Sequence, residues 1–349
     1  MPSAVYRLFA IGASLAVLGL PKAGAAAEDE WQQVTALDAG PRSTSRNEAE
    51  ARAAVIAHLD LQESALRKFL VRHPADIHAF EARLRLARLL QIRGDVQADA
   101  KSLAEAVRLL DALEKSATAG QKAEVDFARI TFLMRTLRKP TAEQRARLLG
   151  KARKFQLDHP DDRRIAALLA EVATLFELQP ETMRELLTDA QPLATDPQLK
   201  AQIEDDLKRV ALFGQPLRLE FTTTRGEAFT IEQLRGSVVV LVFFAVWSGP
   251  SVNALDAVRE ATVKLRKDAI RIIGVSLDAK PEPLSALLKE KNIAWPVGYD
   301  GQGWESPLIR TLGINSLPAV WLLDKEGRLR SLDGLANLAG QARQLLDQR

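Results

Sequence analysis

The 349-residue chain contains no cysteine. That absence excludes a disulfide, a thiolate nucleophile, a cysteine-ligated metal and a lipid-bearing cysteine. Excess charge of one sign is missing too, since 48 Lys and Arg face 45 Asp and Glu, a formal +3. Arg7 and Lys22 are the only charged residues among the first 27, so the rest of the chain carries +1. A body this close to neutral lacks the clustered basic surface whose counterion release drives nucleic-acid binding, and nucleic acid is not an expected partner. Long apolar runs are absent as well. Leu8 to Leu20 covers 13 residues, and no later stretch reaches the ~18 that a membrane-crossing helix requires. No Gly-x-x-x-x-Gly-Lys phosphate loop occurs. Histidine is scarce: His58, His73, His78 and His159 are the only four, all before residue 160. His73 and His78 are interrupted by Pro74, which breaks the helical register of a two-histidine metal site. No metal and no cofactor is expected.

What is present begins with a three-part leader. Arg7 precedes the Leu8–Leu20 run, and Ala23, Gly24, Ala25, Ala26 and Ala27 follow it. This order predicts a secretory signal peptide over residues 1–27 and an exported protein, periplasmic or secreted. In an oxidising compartment disulfides persist, so an exported chain without them must be stabilised by packing alone.

Residues 28–45 are polar, contain Gly40-Pro41 and a Ser/Thr cluster, and are expected to be a flexible leader. Over residues 46–213 apolar side chains recur at helical spacing, as in Leu84, Ala87, Leu90 and in Leu168, Val172, Leu175. Arg67-Lys68-Phe69 with His73-Pro74 and Asp76 recurs as Arg153-Lys154-Phe155 with His159-Pro160 and Asp162, always 86 residues on. The offset is close to two helical hairpins of about 43 residues and predicts an α-helical repeat domain that weakly resembles tetratricopeptide-type repeats, with an irregular helical bundle as the alternative. Asp205-Asp206 and Asp161-Asp162 are expected on solvated helix and turn surfaces.

The period changes after Gly214. Leu217 to Phe221 alternates, Thr224-Arg225-Gly226-Glu227 makes a hairpin turn, and Val238 to Phe244 is a continuous apolar run suited to a central strand. Helical patterns at about 249–267 and 282–292 alternate with strands at about 270–276 and 319–323. Residues 214–349 are therefore expected to be a separate α/β domain, giving a multidomain chain.

Directly after the central strand comes Trp247-Ser248-Gly249-Pro250-Ser251. The segment resembles the Trp-Cys-Gly-Pro-Cys site of thioredoxins. Asp278 after Ile-Gly-Val-Ser-Leu, Tyr299-Asp300 before Trp304, and Leu312-Gly313-Ile314 before Ser316-Leu317-Pro318 are similar to the TlpA-like and AhpC/TSA redoxin branch. The resemblance implies a thioredoxin-like fold and, in members with sulfur, thiol–disulfide oxidoreductase or peroxidase activity. Here both cysteine positions are serine, at 248 and 251. The supporting acids that the resemblance implies are replaced by Val242, six residues before the first position, and by Ala254, six after it. A serine hydroxyl has no accessible disulfide state, so the redox motif is degenerate and no catalytic residue is expected.

Nor does Ser248 look like an activated nucleophile, because no histidine lies within residues 214–349 to act as its base. A helix N-cap is the expected role. The resemblance also implies a cis Pro318, with the Leu317 backbone free to pair with an extended chain. Trp247, Trp304, Leu317 and Pro318 are thus the candidate peptide-binding residues. The expected function is a non-catalytic module that binds a protein or peptide. Redoxin catalysis and an envelope assembly scaffold are the alternatives.

Overall fold

The computed structural model describes residues 24–41, 48–137, 140–263, 265 and 269–348. Most of the leader assigned to residues 1–27 therefore lies outside the described residues. The chain forms two compact units, residues 1–159 and 160–349.

The described part of the first unit is built on helices α1 (Ala25–Ala36), α2 (Glu48–Arg72), α3 (Ala79–Gln97), α4 (Ala100–Ser116), α5 (Lys122–Thr136) and α6 (Ala142–Asp158). Local chemistry sets several starts. Asp99 accepts the Lys101 N–H at 3.0 Å, and Thr141 forms a reciprocal capping box with Gln144. Leu59, Leu66, Phe69, Ala82, Ala87, Leu90, Ala106 and Leu113 form a buried core between neighbouring helices. Where α3 meets α4, a Cβ on Gly94 would stand 2.4 Å from Leu103 Cγ, so only glycine permits that approach.

The leader over residues 28–45 is only partly as expected, because α1 is an ordered helix. Trp31 and Val34 are buried in the core, with Trp31 5.3 Å from Phe69 and 4.8 Å from His78 by ring centroids. The Arg85 guanidinium lies 5.2 Å over the same indole. Glu30 pairs with Arg72 at 2.6 Å. Two apolar side chains one helical turn apart, with the Glu30 and Arg85 contacts around them, thus seat a segment whose overall composition is polar. Residues 42–47 are outside the described residues.

The 86-residue similarity is also a similarity of contacts. His73 lies 5.2 Å from Phe69 and 3.4 Å from Glu30 of α1. His159 lies 4.9 Å from Phe155 and 3.0 Å from Asp126 of α5. Phe69 packs on Trp31, the residue after Glu30, and Phe155 packs on Phe127, the residue after Asp126. The turns repeat as well: the His78 N–H donates to Asp76, and the Arg164 N–H donates to Asp162, both at 2.9 Å. The first unit is helical as expected, with His-Pro closing a helix at both places.

The second unit opens with helices α7 (Ile165–Ala173), α8 (Pro180–Ala190) and α9 (Pro197–Ala211). There follow β1 (Glu220–Thr222), β2 (Ala228–Thr230), β3 (Val238–Phe244), α10 (Gly249–Val263), β4 (Ile270–Ser276), α11 (Pro281–Glu290), β5 (Val297–Gly298), α12 (Pro307–Leu312), β6 (Ala319–Leu323), β7 (Leu329–Ser331) and α13 (Leu338–Asp347). Strands β1 and β2 make a hairpin, and the other five form one sheet in the order β5-β4-β3-β6-β7. Strand β3 is parallel to β4 and antiparallel to β6, which makes the sheet mixed. Every residue of β3 is buried, as its unbroken apolar run predicts. Val238, Val240, Val242 and Phe244 face one core with Leu255 and Val258 of α10 and Leu338, Ala342 and Leu345 of α13.

This is the thioredoxin-like α/β arrangement that the sequence predicts. The compact unit, however, begins before the change of period at Gly214. The chain leaving α9 pairs at once with β7, through Gly214 N–H to Leu329 C=O at 2.7 Å and Leu329 N–H to Gln215 C=O at 3.1 Å. The three helices over 165–211 are therefore built into the same unit as the sheet.

Candidate functional site at the start of helix α10

Parallel pairing of β3 with β4 brings the C-terminal ends of both strands to one edge, and helix α10 starts there. Ala245, Val246 and Trp247 form the link. Asp278, two residues beyond β4, holds that link in place. Its carboxylate accepts the Val246 N–H on both oxygens, at 3.0 and 3.1 Å, and the Ser276 hydroxyl at 2.8 Å. Asp278 is buried, and burial raises its carboxyl above the usual range while the Ser276 and Val246 hydrogen bonds pull it back. In the sequence Asp278 stands out only as part of the resemblance. Its positioning role depends on a contact across 32 residues that no local pattern displays.

Ser248 occupies the turn into α10. Its N–H donates to Ala245 C=O at 3.1 Å, its C=O accepts from Val252 N–H at 3.1 Å, and its Oγ accepts from Ser251 N–H at a long 3.4 Å. These are the contacts of an N-cap, with Gly249 and Pro250 filling the first two helical positions. Ser251 is different. It is fully buried, and its Oγ has no hydrogen-bond partner among the described residues. Val242 and Ala254, at the positions of the missing acids, are both buried, Val242 within the core of the sheet. Among the described residues the Ser248 hydroxyl is recorded in one contact, with the Ser251 N–H.

Outside this turn two indoles meet. Trp247 is 50% exposed and Trp304 39%, with ring centroids 6.4 Å apart. Large exposed indoles in contact are a common anchor for an apolar side chain of a partner. Leu317 and Pro318 are partly exposed, and the peptide bond between them is cis. They immediately precede β6, whose Ala319 pairs with Phe243 of β3. One further step of that register puts Pro318 beside Phe244, the last residue of β3. Neither the N–H nor the C=O of Leu317 has a hydrogen-bond partner among the described residues. Trp247 and Trp304 are thus in contact, Ser248 and Ser251 are linked, and the Leu317–Pro318 segment leads into the strand paired with β3.

Residues 214–332 match the AhpC/TSA family. Among curated proteins, the thiol-disulfide oxidoreductase ResA of Bacillus thuringiensis subsp. konkukian is 25% identical over 108 residues, 31% of this chain and 61% of its own. The chain thus spans about three fifths of the length of the curated relatives it matches. Among solved structures, a thiol-disulfide oxidoreductase from Bacteroides fragilis is 22% identical with a TM-score of 0.33, covering 37% of this chain and 98% of its own. The thioredoxin domain of a thiol-disulfide oxidoreductase from Bacteroides vulgatus is 16% identical with a TM-score of 0.35, covering 39% and 98%.

Proposed function

We propose, from the premise of a thioredoxin-like AhpC/TSA domain in which serine fills both cysteine positions, that this protein is an exported, non-catalytic module that binds an extended protein segment. The observation that carries the reading is the replacement of the redox pair by an N-capping Ser248 and a buried Ser251 beside an exposed aromatic pair. Thiol–disulfide exchange proceeds through a thiolate and a mixed disulfide. With no cysteine in the 349 residues, the activity named for the relatives does not carry over to this chain.

What remains is a surface that suits binding. Trp247 and Trp304 supply exposed apolar area for a partner to cover, and Leu317 supplies a backbone donor and acceptor with no partner among the described residues for strand addition. Export is supported by the order of Arg7, the Leu8–Leu20 run and the small residues that follow. No helix among the described residues is long and apolar enough to cross a membrane.

A labelled, permanently unfolded polypeptide, reduced and carboxymethylated lactalbumin, provides the test by fluorescence anisotropy with the full chain. Saturable binding that Trp247→Ala weakens is the expected result. Absence of binding, or sustained insulin reduction by the purified protein, sinks the proposal.

A further inference from the structure

Helix α9 carries two buried charges of opposite sign, Asp206 at 2% and Arg209 at 6% exposure. The paired carboxylates Asp205-Asp206 are expected in solvent, yet only Asp205 conforms, through a surface contact with Lys208. Asp206 faces inward because it has partners there. Arg209 Nη2 lies 2.9 Å from Asp206 Oδ1, and Nη1 donates to Asn315 Oδ1 at 3.1 Å. The circuit closes where Asn315 Nδ2 donates to Asp206 Oδ1 at 2.7 Å. Asn315 stands two residues before Leu317, in the segment between α12 and β6.

Backbones meet at the same place. Gly313 has φ +67°, and a Cβ on it would stand 2.3 Å from the Asp205 carbonyl oxygen. Helix α9 is therefore seated directly against the start of the 313–318 segment, while its C-terminal continuation pairs with β7. A buried ion pair of this kind contributes little to stability, because desolvation offsets its attraction, and apolar residues of similar volume often do as well. Its distinguishing property is geometry: the contacts that join Asp206, Arg209 and Asn315 are made together in one arrangement of α9 and the segment, while Arg209 Nε has no partner among the described residues.

We propose that Asp206 and Arg209 are positioning residues that hold Asn315 and, through it, the Ser316–Leu317–Pro318 backbone, so that helix α9 is a working part of the binding edge rather than a spacer before the domain. The inference rests on the reading of Leu317 as that edge. It further specifies that the edge is fixed from the helical side.

The experiment compares the full-length protein with Asn315→Ala, Asn315→Asp and the exchange variant Asp206→Asn/Asn315→Asp. Amide hydrogen exchange over 313–319, without ligand, reads the positioning directly, and anisotropy with reduced, carboxymethylated lactalbumin reads the edge. Asn315→Ala is expected to raise exchange of the hydrogen-bonded Gly313 and Ile314 amides by about tenfold or more and to weaken the probe about fivefold, with the far-UV dichroism unchanged. Asn315→Asp sets two carboxylates together and does the same. The exchange variant restores the donor–acceptor pattern around Arg209 and returns both readings to within about twofold of the parent. Should Asn315→Ala fail to fold, Asn315→Ser takes its place in the same comparison. Unchanged exchange in the single variants, or a folded exchange variant without rescue, overturns the positioning role. Exchange that responds as expected in a protein that never binds the probe overturns the reading of the edge and leaves the positioning intact.

Discussion

Ser251 donates its backbone N–H to the Oγ of Ser248 at 3.4 Å, yet its own hydroxyl is buried without a partner among the described residues. The two serines that replace a sulfur pair therefore have opposite energetic roles. Ser248 satisfies one of the orphan donors of helix α10, whereas Ser251 carries an uncompensated desolvation cost. Ser248→Ala should destabilise the protein by about 0.5–1 kcal/mol, and Ser251→Ala should be neutral or stabilising by about 1 kcal/mol. Urea denaturation followed by tryptophan emission reads mainly this unit, because Trp247, Trp295, Trp304 and Trp321 lie within it and only Trp31 lies in the other. A Ser251→Ala variant clearly less stable than the parent would contradict this assignment.

Restoring sulfur tests whether the scaffold has kept its competence. In Ser248→Cys/Ser251→Cys the first thiol sits at the N-terminus of a 15-residue helix, where the macrodipole favours a thiolate. The double variant should gain insulin-reducing activity that the parent lacks. Val242 and Ala254 still provide no proton-handling group, so adding Ala254→Glu should raise the rate further, by up to about tenfold. A double variant that forms the disulfide but never turns over would show that the scaffold around Ser248 has lost more than its sulfurs.

The structure shows which parts of this molecule sequence patterns can carry. Strands β3, β4 and β6 lie where the apolar runs put them, because a buried strand of five to seven residues leaves a readable pattern. Strand β5 has two residues and β7 three, too short for any period to register. Helix α1 was hidden by its polar composition, since Trp31 and Val34 are the two large apolar side chains it contributes to the core. The Ser248–Ser251 site was legible through its likeness to a known motif. The Asp206–Arg209–Asn315 circuit was not: it joins residues 109 positions apart, and charges on a helix ordinarily face water.

Asp278 gives a prediction about the link that carries Trp247. Asp278→Ala would leave the Val246 N–H and the Ser276 hydroxyl without their buried acceptor, at a cost of about 1–3 kcal/mol. Asp278→Asn keeps an acceptor for Val246 and should be milder. A change in the Trp247–Trp304 contact should accompany the loss, visible in the near-UV dichroism of the alanine variant while it remains folded. Equal stability of parent and alanine variant would remove Asp278 from the account of how the site is held.

Glu177 supplies a pH dependence. Burial pushes its carboxyl from an ordinary 4.5 up to about 7; Arg209, 3.8 Å away, opposes the shift, and Asp333 and Asp206 add to it. Between 4.5 and about 7 the folded protein holds a proton that the unfolded chain has released, so this group's stabilising contribution is complete below 4.5 and is lost as the pH rises through 7. Glu177→Gln removes the penalty of ionising there. The variant should gain stability relative to the parent on going from pH 5 to pH 8, on the order of 2 kcal/mol at the upper end. Melting temperatures of the two proteins at both pH values decide the matter. A difference between them that stays constant across the range, or shrinks toward pH 8, would mean that Glu177 is already ionised in the folded protein at pH 5 and that Arg209 outweighs the cost of burial.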